Sequence, residues 1–145
     1  MTTAELLDKY AELADVWGWP EWTDESDLMA PTRWRLTMVN GRPCKQWWEP
    51  GRQRWSLEWN SIILPPYEAL CIWQRHVGVW CLMERGGYRA EAVEPCDDLE
   101  RRWTVTIPLT TVWTEFHGAT LGEAQLAAGR GIREHGDGGE TATVL

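Results

Sequence analysis

The chain has 145 residues, of which 43% are hydrophobic and 25% are charged; these fractions are ordinary for a soluble globular protein and exclude wholesale disorder. The formal net charge of −8 argues against nonspecific binding to duplex nucleic acid, which needs clustered Lys and Arg on the surface. No apolar run approaches the roughly 20 residues that a membrane-spanning helix requires, so we expect a soluble protein with no membrane partner.

The cysteines indicate a reducing compartment. Cys44, Cys71, Cys81 and Cys96 are widely spaced and form no CxxC motif. The N-terminal MTTAELLDKY is typical of an acidic helix start and not of a secretory leader. We therefore expect reduced thiols and a cytoplasmic protein.

The first predicted element is a helix over residues 2–17. Thr2 followed by Glu5 is a capping box, and apolar residues recur at helical spacing, namely Leu6, Tyr10, Leu13 and Trp17. Gly18 and Pro20 end this helix. The stretch WGWPEWTDESD that follows has no period of its own and is predicted to be an acidic loop.

A β-hairpin is predicted next, because from Pro31 onward apolar residues alternate with polar ones. Asn40-Gly41 is the strongest two-residue hairpin signal, and this turn fixes the register. The expected cross-strand pairs are Val39 with Arg42, Leu36 with Lys45, and Trp34 with Trp47. Pro43 cannot donate a ladder hydrogen bond, so the second strand is predicted to lie at a sheet edge or to be bulged.

After the turn EPGRQ a third strand is predicted, in which Trp55 and Trp59 alternate as core residues do. On the second strand, Trp47 and Trp48 are adjacent. Neighbouring side chains on a strand point to opposite faces of the sheet. These two indoles therefore cannot both point inward.

The middle of the chain is predicted to hold a second helix and a second hairpin. Pro66 suits the first helical position, and the helix is expected to run to residue 77 and end at Gly78. Residues 79–84 and 88–93, joined by Gly86-Gly87, are predicted to form the hairpin. In it Cys81 and Met83 would face Ala92 and Ala90, and Glu84 would lie opposite Arg89.

Two further strands are predicted at residues 103–107 and 111–117. A last helix is predicted from Thr120, where Glu123 completes a second capping box. Its inner face is expected to be small and apolar, with Leu121, Ala124, Ala128 and Ile132.

The order of these elements indicates the fold class. It is typical of a single α+β domain, here over residues 1–135, with a mainly antiparallel sheet of hairpins and three helices, N-terminal, central and C-terminal. Residues 136–145 are expected to form a flexible tail.

No catalytic, cofactor or metal motif is evident. Cys71, His76 and Cys81 have a C-x4-H-x4-C spacing that would suit zinc, but no fourth ligand lies at a short spacing. Neither G-x-S-x-G nor a P-loop is present, and the glycines of GRGIREHGDGG follow a helix, which is the wrong context for phosphate binding. We therefore expect a protein with no catalytic residue, no cofactor and no metal.

The strongest candidate site is the first hairpin and its third strand, in the basic part of the chain. Residues 31–95 carry nine basic and six acidic side chains, whereas both flanking segments are acidic. Cationic side chains are interleaved with Trp47 and Trp48, namely Arg33, Arg35, Arg42, Lys45, Arg52 and Arg54.

This composition fits two kinds of partner. Arg and Trp are enriched at protein-interface hot spots, and rings beside guanidinium groups also hold single-stranded nucleic acid. The acidic balance elsewhere favours another protein. The simplest alternative is core-and-rim packing of the rings, with the acidic ends of the chain folded over the basic middle.

The acidic stretch after the first helix is a second candidate surface. There Trp19 and Trp22 would anchor a partner while the neighbouring carboxylates present negative charge. The alternative is an ordered loop whose indoles cover the sheet. The predicted partner-binding residues are thus Trp47, Trp48, Arg52, Arg54, Arg33, Arg35, Trp19 and Trp22.

The C-terminal stretch WTEFHGATLGEAQLAAGRGI, residues 113–132, resembles the ending of many short phage-encoded accessory proteins, which are small α+β sandwiches. The resemblance implies an inhibitor or modulator of host machinery, for example an anti-defence protein. The leading hypothesis is a noncatalytic protein-binding module. The alternative is a single-stranded nucleic-acid-binding protein that uses the same Trp and Arg residues, and a small-molecule enzyme or sensor would need a convergent pocket.

Overall fold

The N-terminal helix begins where the capping box predicts. The computed structural model describes residues 1–17, 21–24, 32–56, 62–94 and 96–135. In it helix α1 spans Thr3–Trp17. Thr2 Oγ1 accepts a hydrogen bond from Glu5 N (3.2 Å), and Glu5 Oε2 accepts one from Thr2 N (3.2 Å). The two side chains thus satisfy two backbone N–H groups that the helix leaves unpaired.

One face of α1 is buried. It carries Leu6, Leu7, Tyr10 and Leu13, and the helix contacts the second strand of the first sheet. The Tyr10 ring stacks on that of the buried Trp73, with centroids 6.1 Å apart and planes at 6°. The side chain of Trp17, which was also expected inside, lies outside the described part.

The first sheet is antiparallel throughout its described part. Its strands are β1 (Glu21–Asp24), β2 (Thr32–Val39), β3 (Arg42–Glu49), β4 (Arg54–Trp55) and β5 (Ile62–Ile63). The order is β1-β2-β3-β4, with β5 also paired with β3. The register between β2 and β3 is the predicted one, because Val39, Leu36 and Trp34 lie opposite Arg42, Lys45 and Trp47.

The turn between β2 and β3 explains why that register could be predicted. Asn40 has φ 52° and Gly41 has φ 74°. Two consecutive residues with positive φ make the turn whose twist matches that of the flanking strands, and Asn-Gly is the favoured pair for it.

Two predictions about this sheet were wrong. Glu21–Asp24 is a strand and not part of an acidic loop, with Trp22 opposite Trp34. This strand forms by pairing with the edge of β2 that β3 does not occupy. The local sequence does not show that such a pairing partner exists, so the strand could not be predicted from it. In addition, β3 lies between β2 on one side and β4 and β5 on the other, so it is not an edge strand.

Pro43 is tolerated inside the sheet because of its place in the ladder. Val39 and Arg42 flank the turn and exchange hydrogen bonds, so the nitrogen of Pro43 points away from β2. On its other side, the Pro43 carbonyl accepts a hydrogen bond from Leu64 N (2.9 Å), one residue past the end of β5. The backbone N–H that Pro43 lacks would therefore lie at the end of the ladder between β3 and β5.

The central helix is longer than predicted. Helix α2 spans Pro66–Glu84, so residues 79–84 are helical and do not form a hairpin strand. Buried residues continue at helical spacing past Gly78, namely Leu70, Trp73, Val77 and Cys81. A Cβ at Gly78 would lie 3.1 Å from the Tyr88 ring, so this glycine makes a close contact and does not end the helix. The helix ends just before Gly86, whose φ is +81°.

The second sheet is also antiparallel, in the order β6-β7-β8. Its strands are β6 (Arg89–Ala92), β7 (Trp103–Leu109) and β8 (Val112–Gly118), and a short 3-10 helix, Leu99–Arg101, precedes β7. The predicted pairs of Cys81 and Met83 with Ala92 and Ala90, and of Glu84 with Arg89, do not form, because β6 pairs with β7. Arg89 Nε instead lies 3.5 Å from Glu91 Oε1.

The C-terminal helix α3, Leu121–His135, has the predicted start. Glu123 N donates to Thr120 Oγ1 (3.2 Å), and Thr120 Oγ1 donates to Glu123 Oε2 (3.1 Å). The helix packs on β7 and β8. Its buried residues include Ala124, Leu126, Ala128 and Ile132, and those of β7 are Val105, Ile107 and Leu109.

The described chain is an α+β domain with antiparallel sheets and N-terminal, central and C-terminal helices, which confirms the predicted fold class. Its internal contacts divide it into two compact units, Thr2–Trp73 and Gln74–Leu145, the second with Met1. The predicted tail, residues 136–145, and Trp59 lie outside the described residues. No helix in the described ranges is long and apolar enough to cross a membrane.

Candidate partner-binding site

Trp47 and Trp48 lie on opposite faces of the first sheet, as the alternation of side chains on a strand requires. Both indoles are half-buried. Trp47 lies opposite Trp34, whereas Trp48 lies opposite Trp55 on the other neighbouring strand. The two adjacent rings thus do not both point to one side of the sheet, as the sequence predicts.

The face of Trp48 is built from indoles and guanidinium groups. Trp48 and Trp55 make an edge-to-face pair, with centroids 5.3 Å apart and planes at 72°. Arg33 Cζ lies 4.8 Å from the Trp48 centroid and 5.8 Å from that of Trp55. Arg35 Cζ lies 4.6 Å from the Trp55 centroid. Arg33, Arg35, Trp48 and Trp55 are named the indole–guanidinium surface.

The energetics of this surface combine two attractive terms. Each guanidinium over an indole contributes about 0.5 to 1 kcal/mol at a partly exposed site, and an aromatic pair of this geometry adds about 0.5 to 1.5 kcal/mol. Arg33 is exposed, and Trp48, Trp55 and Arg35 are half-buried. The rings of Trp48 and Trp55 are therefore neither fully buried nor fully exposed.

A buried polar network holds Arg35 and the end of β4 in place. Arg35 Nε donates to Gln46 Oε1 (2.9 Å), and Gln46 Nε2 donates to the Ser56 carbonyl (3.0 Å). Trp47 N donates to Ser56 Oγ (3.1 Å), and Ser56 N donates to the Trp47 carbonyl (2.8 Å). Gln46 and Ser56 are buried. Sequence reasoning missed both residues, although the alternation of β3 already places Gln46 on the face of Trp48.

Arg52 and Arg54 do not join the indole–guanidinium surface. Arg54 Nε lies 3.4 Å from Glu49 Oε1, and Arg52 Nη1 lies 4.0 Å from Glu49 Oε2. Glu49 follows Trp48, and Arg54 precedes Trp55. The side chains of Glu49 and Arg54 therefore lie on the opposite face of the sheet from the two rings. Exposed pairs of this kind contribute at most about 1 kcal/mol.

The face of Trp47 has its own cation. Lys45 Nζ lies 4.4 Å from the Trp34 centroid and 5.6 Å from that of Trp47. Leu36, on the same face of β2, is fully buried. The structure thus divides the predicted residues between two faces, with Arg33, Arg35 and Trp48 on one and Trp47 and Arg54 on the other.

The second candidate surface falls mostly outside the described residues. Trp19 is not among them, and Trp22 is described only through its backbone in β1. The acidic surface expected there therefore stays a prediction. Of the other cationic residues singled out in the sequence, Arg42 is exposed beside the turn.

The three residues with zinc-like spacing lie along one helix. Cys71 and Cys81 are ten residues apart on α2, which separates them by about 15 Å along its axis, too far to bind one ion. Cys71 is exposed and Cys81 is buried. Burial raises the pKa of the Cys81 thiol to about 12, which opposes formation of the thiolate that binds metals and acts as a nucleophile. Across the described residues, no group of three or more His, Cys, Asp or Glu side chains could hold a metal ion.

A groove on the second sheet was not predicted from the sequence. Its volume is about 550 Å³, and it is lined by polar residues of β6, β7 and β8 and by the segment 96–101. Alternation along β7 marks Thr104 and Thr106 as a solvent-facing pair, but only the register of three strands brings the lining residues together.

No protein-family model, curated protein or solved structure matches this chain. The function is therefore inferred from the chemistry of the chain's own surfaces.

Proposed function

We propose that the protein is a noncatalytic binding module that recognises another protein through the indole–guanidinium surface. The observation that carries this proposal is the half-buried Trp48–Trp55 pair with guanidinium groups across its rings. Trp and Arg are the side chains that most often contribute the largest share of binding energy at protein interfaces, and they do so when held rigidly in partly desolvated positions.

The chemistry of the surface suggests what the partner presents. A guanidinium has five N–H donors, so one that lies over an indole and already has partners can still donate to a carboxylate of another protein. The apolar ring edges beside it suit an aliphatic or aromatic side chain. The partner would therefore present acidic side chains next to an apolar one.

Single-stranded nucleic acid is the alternative ligand of the same surface. Bases bind such surfaces by stacking on the faces of aromatic rings. Arg33 and Arg35 already lie over the faces of Trp48 and Trp55, so a base would have to displace a guanidinium group. This arrangement favours a protein partner.

A finer form of the proposal places the protein among cytoplasmic modulators of host machinery, such as the anti-defence proteins of phages. Its support is the resemblance of residues 113–132 to phage accessory proteins, together with four cysteines that form no disulfide. This more specific proposal can be wrong while the binding proposal holds, because it concerns the identity of the partner and not the binding site.

The opposite faces of β3 offer a matched experiment. Affinity capture from a host extract would compare the wild-type protein with Trp48→Leu and Trp47→Leu, which remove adjacent half-buried indoles from opposite faces. In a second pair, Arg33→Ala removes an exposed guanidinium group from the indole–guanidinium surface, and Arg52→Ala removes an exposed guanidinium group outside it. We expect Trp48→Leu and Arg33→Ala to weaken capture at least tenfold, as is usual for hot-spot residues.

The controls decide the interpretation. Thermal unfolding of all four variants must show that each is folded at the capture temperature. Equal losses for Trp48→Leu and Trp47→Leu in folded proteins would contradict the proposal. Titration with a labelled oligonucleotide at two salt concentrations tests the alternative, for which tight binding with a steep salt dependence is required.

A further inference from the structure

The outward face of the second sheet carries two ordered rows of polar side chains. Residues that alternate on the strands share a face, and Val105 and Ile107 of β7 are buried on the other side. The strand register places Arg89, Thr106 and Glu115 in one row across the sheet, and Glu91, Thr104 and His117 in the next. All six line the groove of about 550 Å³.

The carboxylate changes strand from one row to the next. Each row has a threonine in the centre, but the carboxylate stands on β8, opposite a guanidinium group, in the first row and on β6, opposite an imidazole, in the second. Neighbouring rows therefore pair along the outer strands: Arg89 Nε lies 3.5 Å from Glu91 Oε1, and His117 Nε2 lies 3.8 Å from Glu115 Oε2. The second nitrogen of the imidazole, His117 Nδ1, lies 3.1 Å from Thr104 Oγ1.

Residues of the segment 96–101 also line the groove. Its short 3-10 helix, Leu99–Arg101, is capped by Asp98, whose Oδ1 accepts a hydrogen bond from Glu100 N (3.0 Å). Asp97, Asp98 and Arg101 add two negative charges and one positive charge to the lining.

An exposed aromatic ring lies beyond the first row on the same face. Trp113 is on β8 two residues before Glu115, so it points to the same side of the sheet, and 53% of its surface is exposed. Its six-membered ring rests on Gly87, where a Cβ would collide with it. The ring is held against the backbone while much of it faces solvent.

This arrangement suits an uncharged ligand with many hydroxyl groups. The lining carries four carboxylates and two guanidinium groups, so an anionic ligand is repelled, and the guanidinium groups among the carboxylates weaken the attraction for a polycation. Each of these groups still makes strong local hydrogen bonds, and a hydroxyl can both donate to a carboxylate and accept from a guanidinium. Trp113 lies on the same face of the sheet, outside the groove lining, and its half-exposed indole adds an apolar surface for the C–H face of a sugar ring.

We propose that the groove formed by β6, β7 and β8 is a binding site for a neutral oligosaccharide. The hydroxyl groups of the sugar contact the two polar rows, and one pyranose ring stacks on Trp113. The volume of about 550 Å³ lies within the usual range for small-ligand sites, about 300 to 1,000 Å³. The proposal is independent of the protein-binding surface on the first sheet.

The test is a glycan array that contains neutral and acidic oligosaccharides, probed with the labelled full-length protein. Calorimetric titration with the best neutral hexasaccharide follows. We expect binding to neutral glycans, weakened at least tenfold by Trp113→Ala and about three- to tenfold by Thr106→Val, which removes one hydroxyl at nearly constant volume. Thr111→Val, at an exposed position outside the groove, and Trp48→Leu, on the first sheet, are the matched controls and retain binding.

Several outcomes would overturn the proposal. They are the absence of binding to any neutral glycan, unchanged binding by both folded groove variants, and preferential binding of a hexalysine peptide over the sugars. The last result would mark the groove as a site for cationic segments. Because Thr106→Val conserves side-chain volume, it keeps the test decisive even if Trp113→Ala unfolds.

Discussion

Trp48 lies directly opposite Trp55, with the ring centroids 5.3 Å apart and the ring planes at 72°. The pair joins β3 to the short strand β4, whose ladder is only two residues long. The same two rings carry the guanidinium groups of the proposed binding surface. Fold and site therefore share these side chains, and a variant of either ring tests both.

The first prediction concerns the coupling between these rings. Trp48→Leu and Trp55→Leu, singly and together, form a double-mutant cycle for the free energy of unfolding. Because edge-to-face indoles attract each other beyond their buried area, we expect a coupling energy of about 0.5 to 1.5 kcal/mol. Urea unfolding monitored by circular dichroism measures it. The matched cycle uses Trp47 and Trp55, which lie on opposite faces, and a coupling as large there would contradict the assignment.

Much of the first sheet could be predicted because its decisive signals are local. Asn40-Gly41 fixes the turn and the turn fixes the register, so the opposition of Trp34 and Trp47 follows from four residues of sequence. Alternation then assigns Trp47 and Trp48 to different faces. The partners on those faces could not be derived in the same way, since the ion pairs of Arg54 depend on where β4 joins β3.

The errors all involve contacts between distant parts of the chain. In the sequence, Gly78 is typical of the end of a helix. In the fold, its missing side chain lets the ring of Tyr88 pack closely against α2. The strand Glu21–Asp24 exists through its pairing with β2. The groove of the second sheet requires Thr104 and Thr106 to meet residues of two other strands, so no single motif indicates it.

The second prediction concerns the glycine at the end of β8. A Cβ at Gly118 would collide with backbone atoms of Glu123 and Ala124 at the start of α3. Backbone atoms cannot move away by a change of rotamer, as the end of a flexible side chain can. Gly118→Ala is therefore expected to lower the free energy of unfolding by about 1 to 3 kcal/mol. Gly51→Ala is the control, since nothing lies within 4 Å of that Cβ and its φ is not positive. Urea unfolding that shows equal stability for the two variants would contradict this packing.

The third prediction concerns the reactivity of the thiols. Cys71 is exposed on α2, whereas Cys44 and Cys81 are buried. We expect iodoacetamide at pH 8 to alkylate Cys71 in the folded protein, and Cys81 only in denaturant, because burial both excludes the reagent and raises the pKa of the Cys81 thiol to about 12. Peptide mass spectrometry locates the label. Rapid alkylation of Cys81 without denaturant would show that the second half of α2 is not packed as described.

The fourth prediction concerns stability in alkali. In the folded protein burial raises the pKa of the Cys81 thiol from 9.0 to about 12, and burial also raises the pKa of Tyr88. Between pH 9 and pH 12 the unfolded chain therefore loses protons that the folded chain retains, so stability falls as pH rises.

For Cys81 the slope approaches about 1.4 kcal/mol per pH unit within that window, and it vanishes well below pH 9. Urea midpoints measured with a reductant at pH 8, 9, 10 and 11 give the slope. Cys81→Ala removes the thiol and should flatten the curve, while Cys71→Ala, at an exposed position of the same helix, should leave it as steep as in the wild type. Parallel curves for Cys81→Ala and the wild-type protein would mean that the Cys81 thiol ionises as readily in the folded chain as in the unfolded one, and that this part of α2 is open to water.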